Sequence, residues 1–256
     1  FYQVYCSDNS KDYIIKTKKL IFASGTLSTT KIISKFLNFN GEIKMLHNPM
    51  AFFSFISLMK KINNMNLFYS QLIFSLKNKK NYTYGSLRSI NDSIIEKISK
   101  QYGLFGYIVK IILHLFKKFI CIGNLYLDGN ESNLLIKSEN GILISARYQK
   151  IENIKKKLKK SCYKFIKNLK CYDRGIIYHK NIIPKLGSDY HYFGTIPIVK
   201  KFSKSKLEVD QLCRLKNHKN IYIIDGSVIS KISSKFPTGI MMANAYRIAK
   251  HLNNKK

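Results

Sequence analysis

Residues 220–252, "NIYIIDGSVISKISSKFPTGIMMANAYRIAKHL", contain the pattern that decides the fold. Ile221–Ile224 is a short apolar run typical of a buried strand, and it leads directly into Asp225-Gly226. A polar loop follows, and from Pro237 onward the spacing predicts a helix from about Thr238 to Leu252. A strand followed by a loop and a helix exposes backbone N–H groups and the positive end of the helix dipole. Such a terminus favours phosphate or a developing negative charge.

A second strand–turn–helix pattern lies near the start of the chain. In residues 12–25, "DYIIKTKKLIFASG", two β-prone runs, Tyr13–Lys16 and Leu20–Ala23, end in Ser24-Gly25. The segment that follows, "TLSTTKIISKFL", has apolar side chains at positions 27, 32, 33, 36 and 37. This spacing predicts a helix that starts just after the glycine.

The third stretch is "GSDYHYFGT" at 187–195, in which His191 lies between two tyrosines with glycines close on both sides. Small neighbours let backbone or a ligand approach the imidazole, a group that changes its charge near neutral pH and can act as a base. Taken alone, the stretch favours a loop histidine with a structural hydrogen bond. A catalytic interpretation depends on the two flanking patterns.

The most apolar stretches of the chain are 51–59, "AFFSFISLM", and 107–116, "YIVKIILHLF". Lysines interrupt or end both, so neither reaches the roughly 18–20 uncharged residues of a membrane span. We expect buried or half-buried helices in a helix-rich region at 43–120, with a helix lying on a membrane surface as the alternative. Residues 119–148 contain three β-prone runs that predict an antiparallel meander, and 149–169 predict a basic amphipathic helix with a solvated lysine face.

The net charge of +31 would suggest a nucleic-acid or anionic-membrane partner. However, only five of the 45 basic residues are Arg, whose planar fork suits phosphate-reading surfaces. Abundant Lys, Asn and Ile, without any Trp, indicate the compositional drift of an AT-rich genome. We therefore expect no specific nucleic-acid binding, only salt-sensitive contacts with a Kd of about 10⁻⁴ to 10⁻⁶ M. A real anionic partner is the alternative.

Five cysteines, at positions 6, 121, 162, 171 and 213, are scattered without a CxxC pair. An odd, scattered set argues against a disulfide framework and against a zinc site, so we expect a reducing, cytoplasmic location, with peripheral membrane contact as an alternative, and no metal. None of the histidines has metal-ligand spacing. For His47, in "LHNPM", we expect a place at a helix boundary, with a position lining a substrate pocket as the alternative.

Together, the three stretches resemble the C-terminal half of the glucose–methanol–choline (GMC) flavin oxidoreductases. "KKLIFASGTLSTTKII" at 18–33 is similar to that family's strand-Ala-x-Gly-helix segment, and "YHYFGT" at 190–195 resembles its His-x-x-Gly-Thr element. Residues 220–252 resemble its closing segment of Asp-Gly/Ala-Ser, Asn-Pro-Thr and a last helix. Order and spacing fit across almost the whole chain.

The resemblance implies FAD as the cofactor and assigns roles by position. His191 matches the active-site histidine poised over the flavin ring, and Tyr190 matches the residue before it, which lies against the flavin. Six further positions match residues near the flavin's ribityl-pyrophosphate arm, its pyrimidine or the adjoining FAD surface: Asp225, Gly226, Pro237, Thr238, Ala23 and Gly25. The chemistry fits, because oxidising an alcohol needs a base for the hydroxyl proton while the flavin takes the hydride.

The sequence departs from the family pattern in two places. The family's N-terminal Gly-x-Gly-x-x-Gly fingerprint is missing, since no Gly-x-Gly occurs anywhere in this sequence. Phe236, in "KFPTG", stands where the family usually has Asn or His, and Phe cannot hydrogen-bond a substrate hydroxyl. We therefore expect either the C-terminal part of a longer enzyme, inactive without its N-terminal FAD-binding part, or a degenerate remnant.

The expected fold class is α/β to α+β. Residues 1–40 and 186–256 would complete an FAD-binding domain, with the active-site loop in the second segment. Residues 41–185 would form a substrate-binding domain with an antiparallel sheet backed by helices. The expected function is oxidation of a CH–OH donor, such as a sugar, a polyol or another alcohol. The alternative is a non-catalytic basic protein on a degenerate GMC-like fold that binds anionic lipid or nucleic acid.

Overall fold

The computed structural model describes residues 1–8, 11–58, 72–78, 81–132, 134–185, 191–235 and 237–254. The chain divides into two units, which we name by their place in the sequence. The terminal unit contains residues 1–48, 132–149 and 190–256, and the middle unit contains 49–131 and 150–189. Both combine antiparallel sheets with helices, as predicted from the sequence.

The strands and helices have the following bounds. The strands are β1 (Tyr2–Ser7), β2 (Asp12–Thr17), β3 (Leu20–Phe22), β4 (Gly41–His47), β5 (Met50–Ser57), β6 (Leu72–Asn78), β7 (Asn81–Ser89), β8 (Ile120–Tyr126), β9 (Leu134–Glu139), β10 (Ile142–Tyr148), β11 (Ile176–Ile182), β12 (Tyr192–Phe193) and β13 (Ile221–Ile223). The helices are α1 (Thr26–Phe36), α2 (Asp92–Ser99), α3 (Gly106–Phe116), α4 (Ile151–Lys170) and α5 (Thr238–Asn253).

The terminal unit is built on a four-stranded antiparallel sheet, in the order β10-β9-β4-β12, and a parallel pair, β13-β3. A separate hairpin joins β1 to β2. The core of this unit gathers apolar side chains from all these regions, including Ile33 of α1, Leu46 of β4, Phe193 of β12 and Ile223 of β13. The predicted helices after Gly25 and after Pro237 are confirmed as α1 and α5.

The middle unit is a five-stranded antiparallel sheet in the order β11-β5-β8-β7-β6, against which α4 packs. The buried residues of α4 recur at helical spacing: Ile154, Leu158, Ser161, Cys162, Phe165 and Ile166. The ring of Phe165 stacks on Phe74 at a centroid distance of 4.0 Å and tilts against Phe53 at 5.3 Å. The predicted basic amphipathic helix at 149–169 is confirmed, with its lysines on the opposite face.

The prediction of a helix-rich region at 43–120 was wrong for its first half. Residues 41–47 and 50–57 form β4 and β5, and β6 and β7 follow before the first helix of this region, α2, begins at Asp92. In β5, the buried residues Ala51, Phe53, Phe55 and Ser57 alternate with more exposed ones. This period of two belongs to a strand, and the aromatic, apolar character of the run concealed it. The second apolar stretch, by contrast, is helical, as α3.

The predicted meander at 119–148 was also wrong, because its first strand belongs to a different sheet. β8 lies between β5 and β7 in the middle unit, whereas β9 and β10 form a hairpin that pairs with β4 in the terminal unit. A pattern of alternating side chains defines a strand but not its partner. The predicted boundary between residues 40 and 41 lies inside the terminal unit, since residues 41–48 and 132–149 belong to that unit, whereas the predicted boundary between 185 and 186 lies close to the division between 189 and 190.

Within the described ranges, no helix is both long enough and apolar enough to cross a membrane.

We expect Phe165→Ala to lower the free energy of unfolding by about 3–5 kcal/mol, the usual effect of deleting a buried aromatic ring. Phe165 is 6% exposed and joins α4 to the sheet through Phe53 and Phe74. Tyr163→Ala is the matched control on the same helix, since Tyr163 is 66% exposed. Urea unfolding of the two variants should separate them clearly, and equal stability would contradict the packing described here.

The five thiols are all free, and they differ in their access to solvent. Cys121, Cys162 and Cys213 are buried, and burial raises the pKa of the first two to about 12. Because the thiolate is the reactive form, we expect an aromatic disulfide reagent to label Cys6 and Cys171 in the folded protein, and the other three only after unfolding. Cys171→Ser should lower the number of rapidly labelled thiols by one per molecule. Rapid labelling of Cys162 in the folded protein would contradict this arrangement.

Candidate functional site

The two predicted strand–turn–helix patterns meet because β3 and β13 are parallel neighbours. Leu20 lies opposite Ile221 and Phe22 opposite Ile223, so both strands end at the same edge. The chain leaves β3 toward Gly25 and α1, and it leaves β13 toward Asp225. The loops after the carboxyl ends of parallel strands are where ligands bind in open α/β sheets.

The carboxylate of Asp225 joins the two loops. Its Oδ2 atom accepts hydrogen bonds from the backbone N–H of Gly25 at 3.0 Å and from the hydroxyl of Thr29. Its Oδ1 atom accepts from the N–H and the hydroxyl of Ser227, at 3.0 and 2.6 Å. Four donors match the acceptor capacity of a carboxylate. Asp225 therefore positions the start of α1 and the turn after β13, and any contact it offers to a cofactor comes through the backbone that it holds.

Two glycines allow this junction to form. Gly226 is buried, and a Cβ added there would lie 2.7 Å from Thr26 Oγ1 and 3.0 Å from the carbonyl oxygen of Tyr192. Gly25 has a φ of +86°, which side chains rarely tolerate, and a Cβ there would meet nothing within 4 Å. The chain is thus tightly packed at Gly226 and open at Gly25, directly before the N-terminus of α1.

The third predicted stretch is attached to the same junction. Thr26 Oγ1 donates to the carbonyl oxygen of Tyr192 at 2.5 Å, and the hydroxyls of Thr30 and Thr195 lie 2.6 Å apart. The N–H of Gly194 donates to the carbonyl oxygen of Gly226 at 3.1 Å. The stretches near residues 25, 191 and 225 are therefore brought together by direct hydrogen bonds.

His191 is half-buried and comes immediately before β12. β12 pairs antiparallel with β4, with Tyr192 opposite His47 and Phe193 opposite Leu46. Extending this register by one residue places His191 opposite Asn48. The Asn48 side chain donates to the carbonyl oxygen of Ser233 at 2.9 Å, which ties the end of β4 to the loop that leads to α5.

The remaining predicted site residues are placed as follows. Ala23 is exposed in the loop between β3 and α1, Pro237 is buried just before α5, and Thr238 is the exposed first residue of α5. Tyr190 and Phe236 lie outside the described residues.

Sequence reasoning missed the polar residues that hold this junction. The sequence predicted only a helix at Thr26, Thr29 and Thr30, although each of these side chains is buried and hydrogen-bonded. A run of small hydroxyl residues in the first turns of a helix is the signal that could have identified them. The helix-boundary role expected for His47 was wrong: it ends β4, is fully buried, and its ring meets Tyr148 edge-on at 5.2 Å.

Among the described residues, no group of three or more His, Cys, Asp or Glu side chains is arranged to hold a metal ion.

This combination of mixed α/β units and a loop junction at parallel strand ends is a GMC-like fold. The structure is similar to that of a pyridoxine 4-oxidase from Mesorbium loti, with a TM-score of 0.61 and 8% sequence identity. The similarity covers 98% of this chain and 54% of the oxidase, so the chain spans about half the length of that protein. No protein-family model and no curated protein sequence matches the chain. At this identity, the likeness shows the fold alone.

Proposed function

We propose that this chain is the C-terminal portion of an FAD-dependent oxidoreductase that oxidises a CH–OH donor, such as a sugar, a polyol or another alcohol. The observation that carries the proposal is the hydrogen-bonded junction of three stretches, each of which resembles a GMC motif. The likeness in fold to a pyridoxine 4-oxidase supports it. The N-terminal FAD-binding part of such an enzyme would be the partner of this chain.

The residues present fit the ribityl-pyrophosphate arm of FAD. An anionic group is favoured at the N-terminus of α1, where the first backbone N–H groups point out of the helix, and Gly25 leaves the approach open. The tight turn at Gly226 presents backbone rather than a side chain. Ala23 adjoins this surface, and we assign Tyr190, Pro237 and Thr238 to the flavin ring end of the cofactor by resemblance. When bound, the flavin would supply the hydride acceptor.

We assign the proton chemistry to His191. A neutral imidazole accepts the hydroxyl proton of the alcohol as the hydride leaves its carbon. The pairing of β12 with β4 and the bond from Thr26 to the Tyr192 carbonyl fix the backbone directly after His191. Phe236 contributes no proton, so the base function rests on the histidine rather than on a His/Asn pair.

Binding of FAD tests the proposal. We expect the full-length protein to purify with FAD at close to one equivalent, seen as a flavin absorbance band, and the 256-residue chain alone to bind FAD only weakly. The expected difference follows from the absence of a Gly-x-Gly fingerprint in this sequence, since that loop binds the pyrophosphate. A full-length protein that neither purifies with FAD nor takes it up would overturn the proposal.

A further inference from the structure

The charged side chains along one edge of α3, in the middle unit, form ion pairs with α2. Lys110 Nζ lies 2.7 Å from Glu96 Oε2, and Lys117 Nζ lies 2.6 Å from Asp92 Oδ1, both acids being on α2. His114 Nδ1 lies 3.8 Å from the same Asp92 carboxylate. Hydrogen bonds from Lys117 and Lys110 hold the pKa of Asp92 and of Glu96 below their ordinary values. These pairs fix which side of α3 faces α2.

The opposite side of α3 is apolar and exposed. Six side chains spaced along one side of the helix are each between 44% and 75% exposed: Tyr107, Ile108, Ile111, Ile112, Leu115 and Phe116. The turn that leads into α3 adds Tyr102, Leu104 and Phe105, of which Leu104 is 99% exposed. We call these nine side chains the α3 face.

The α3 face is too large to be ordinary surface. Nine large side chains, most of them half exposed or more, present on the order of 1,000 Å² of surface, against roughly 300–600 Å² for the largest apolar patch on a typical monomer. A surface helix usually packs its apolar side on the core, whereas these apolar side chains of α3 lie in water. Leaving this surface in water is unfavourable, and a binding partner would remove that cost.

Lysines stand at both ends of the α3 face. Lys100 precedes its turn and has a 74% exposed side chain, and Lys118 is exposed directly after the helix. Aromatic residues, Tyr102, Phe105 and Tyr107, cluster near the first end. Apolar side chains flanked by aromatics and lysines are typical of helices that lie in the interface of an anionic bilayer.

We propose that the α3 face docks the protein on a membrane surface that contains anionic lipid. The charge argues against a second copy as the occupant, because each copy carries a net charge of +31 and like-charged lysines would meet at both ends of the interface. An anionic bilayer instead accepts the apolar side chains and attracts the lysines. This inference concerns the middle unit and does not depend on the flavin chemistry proposed above.

Vesicle co-sedimentation of the full-length protein tests the proposal, with phosphatidylcholine vesicles prepared with and without phosphatidylserine. We expect binding to the vesicles that contain phosphatidylserine, weakened by salt. The variant Ile108→Ser/Ile112→Ser/Leu115→Ser should lower the partition coefficient by roughly tenfold or more, since it removes apolar area from the docked face. Lys100→Gln and Lys118→Gln should each lower the partition coefficient about fivefold on vesicles that contain phosphatidylserine, and should have no effect on vesicles without it.

The matched control is Ile73→Ser/Ile177→Ser, which changes two exposed isoleucines of the middle unit outside α3. It should bind like the wild type, and circular dichroism should show all variants folded. The proposal is overturned if the wild type binds neither kind of vesicle or if the triple variant binds as well as the wild type. A wild-type dimer that the triple variant dissociates, without vesicle binding, would identify the α3 face as a protein interface and also overturn it.

Discussion

Under the function proposed above, we expect His191→Ala in the full-length protein to slow reduction of the bound flavin by the alcohol roughly 10²- to 10⁴-fold, the usual contribution of a positioned acid–base group. The flavin should stay bound, because the groups proposed to hold its arm belong to the Gly25 and Gly226 loops.

His179→Ala is the control for the His191 variant. His179 is exposed on β11 in the middle unit, where its Nδ1 atom lies 3.1 Å from the hydroxyl of Ser54. It should leave the rate of flavin reduction unchanged. Anaerobic stopped-flow absorbance measures both variants, and reduction of the His191→Ala flavin at the wild-type rate would show that His191 is a structural loop residue.

The second large effect is expected at Asp225, through position rather than chemistry. Asp225→Ala leaves the donors of Gly25, Thr29 and Ser227 without their shared acceptor. Hydrogen bonds to a charged group contribute about 1.5–3 kcal/mol each, so we expect the free energy of unfolding to fall by about 3 kcal/mol or more. FAD affinity should fall roughly tenfold or more, as a loss of about 1.4 kcal/mol at the cofactor would produce.

Asp210→Ala separates the effect on the cofactor from the effect on stability. Asp210 accepts hydrogen bonds from the N–H groups of Leu212 and Arg214 and from Arg214 Nε, so it holds a different turn of the terminal unit in a similar way. Its loss should destabilise the protein yet leave FAD affinity near the wild-type value. If the two variants lose FAD affinity equally in a titration, Asp225 has no special place in the cofactor site.

The elements around the candidate site could be predicted from the sequence because each has a local signal. Gly25 ends a β-prone run and starts a helical one, and Pro237 stands before α5, so the turns and helix starts were identified correctly. The antiparallel hairpin of β9 and β10 corresponds to the last two of the three β-prone runs predicted at 119–148. The GMC-like fold followed from the order of these signals rather than from any one of them.

The sequence could not reveal contacts that form between distant residues. Thr29 reaches Asp225 across 196 residues, and Thr26 reaches Tyr192 across 166, and no local pattern encodes either bond. The sequence predicted a helix in place of β5 because the strand's run of apolar and aromatic residues obscured its period of two. It assigned β8 to the wrong sheet because alternation of side chains does not identify the partner strand. For α3, the expectation of a buried or half-buried helix was wrong and the alternative of a helix with an exposed apolar side fits better, since an apolar pattern does not show which side faces the protein.

The central claim is that the junction of Gly25, His191 and Asp225 serves flavin-dependent oxidation of an alcohol. It is tested most directly by anaerobic reduction of the flavin in the full-length protein with a panel of sugars, polyols and simple alcohols. Our account predicts that at least one of them bleaches the flavin band and yields one equivalent of its carbonyl product, and that His191→Ala slows this step. A bound flavin that no CH–OH donor reduces, while a chemical reductant does, would contradict the account.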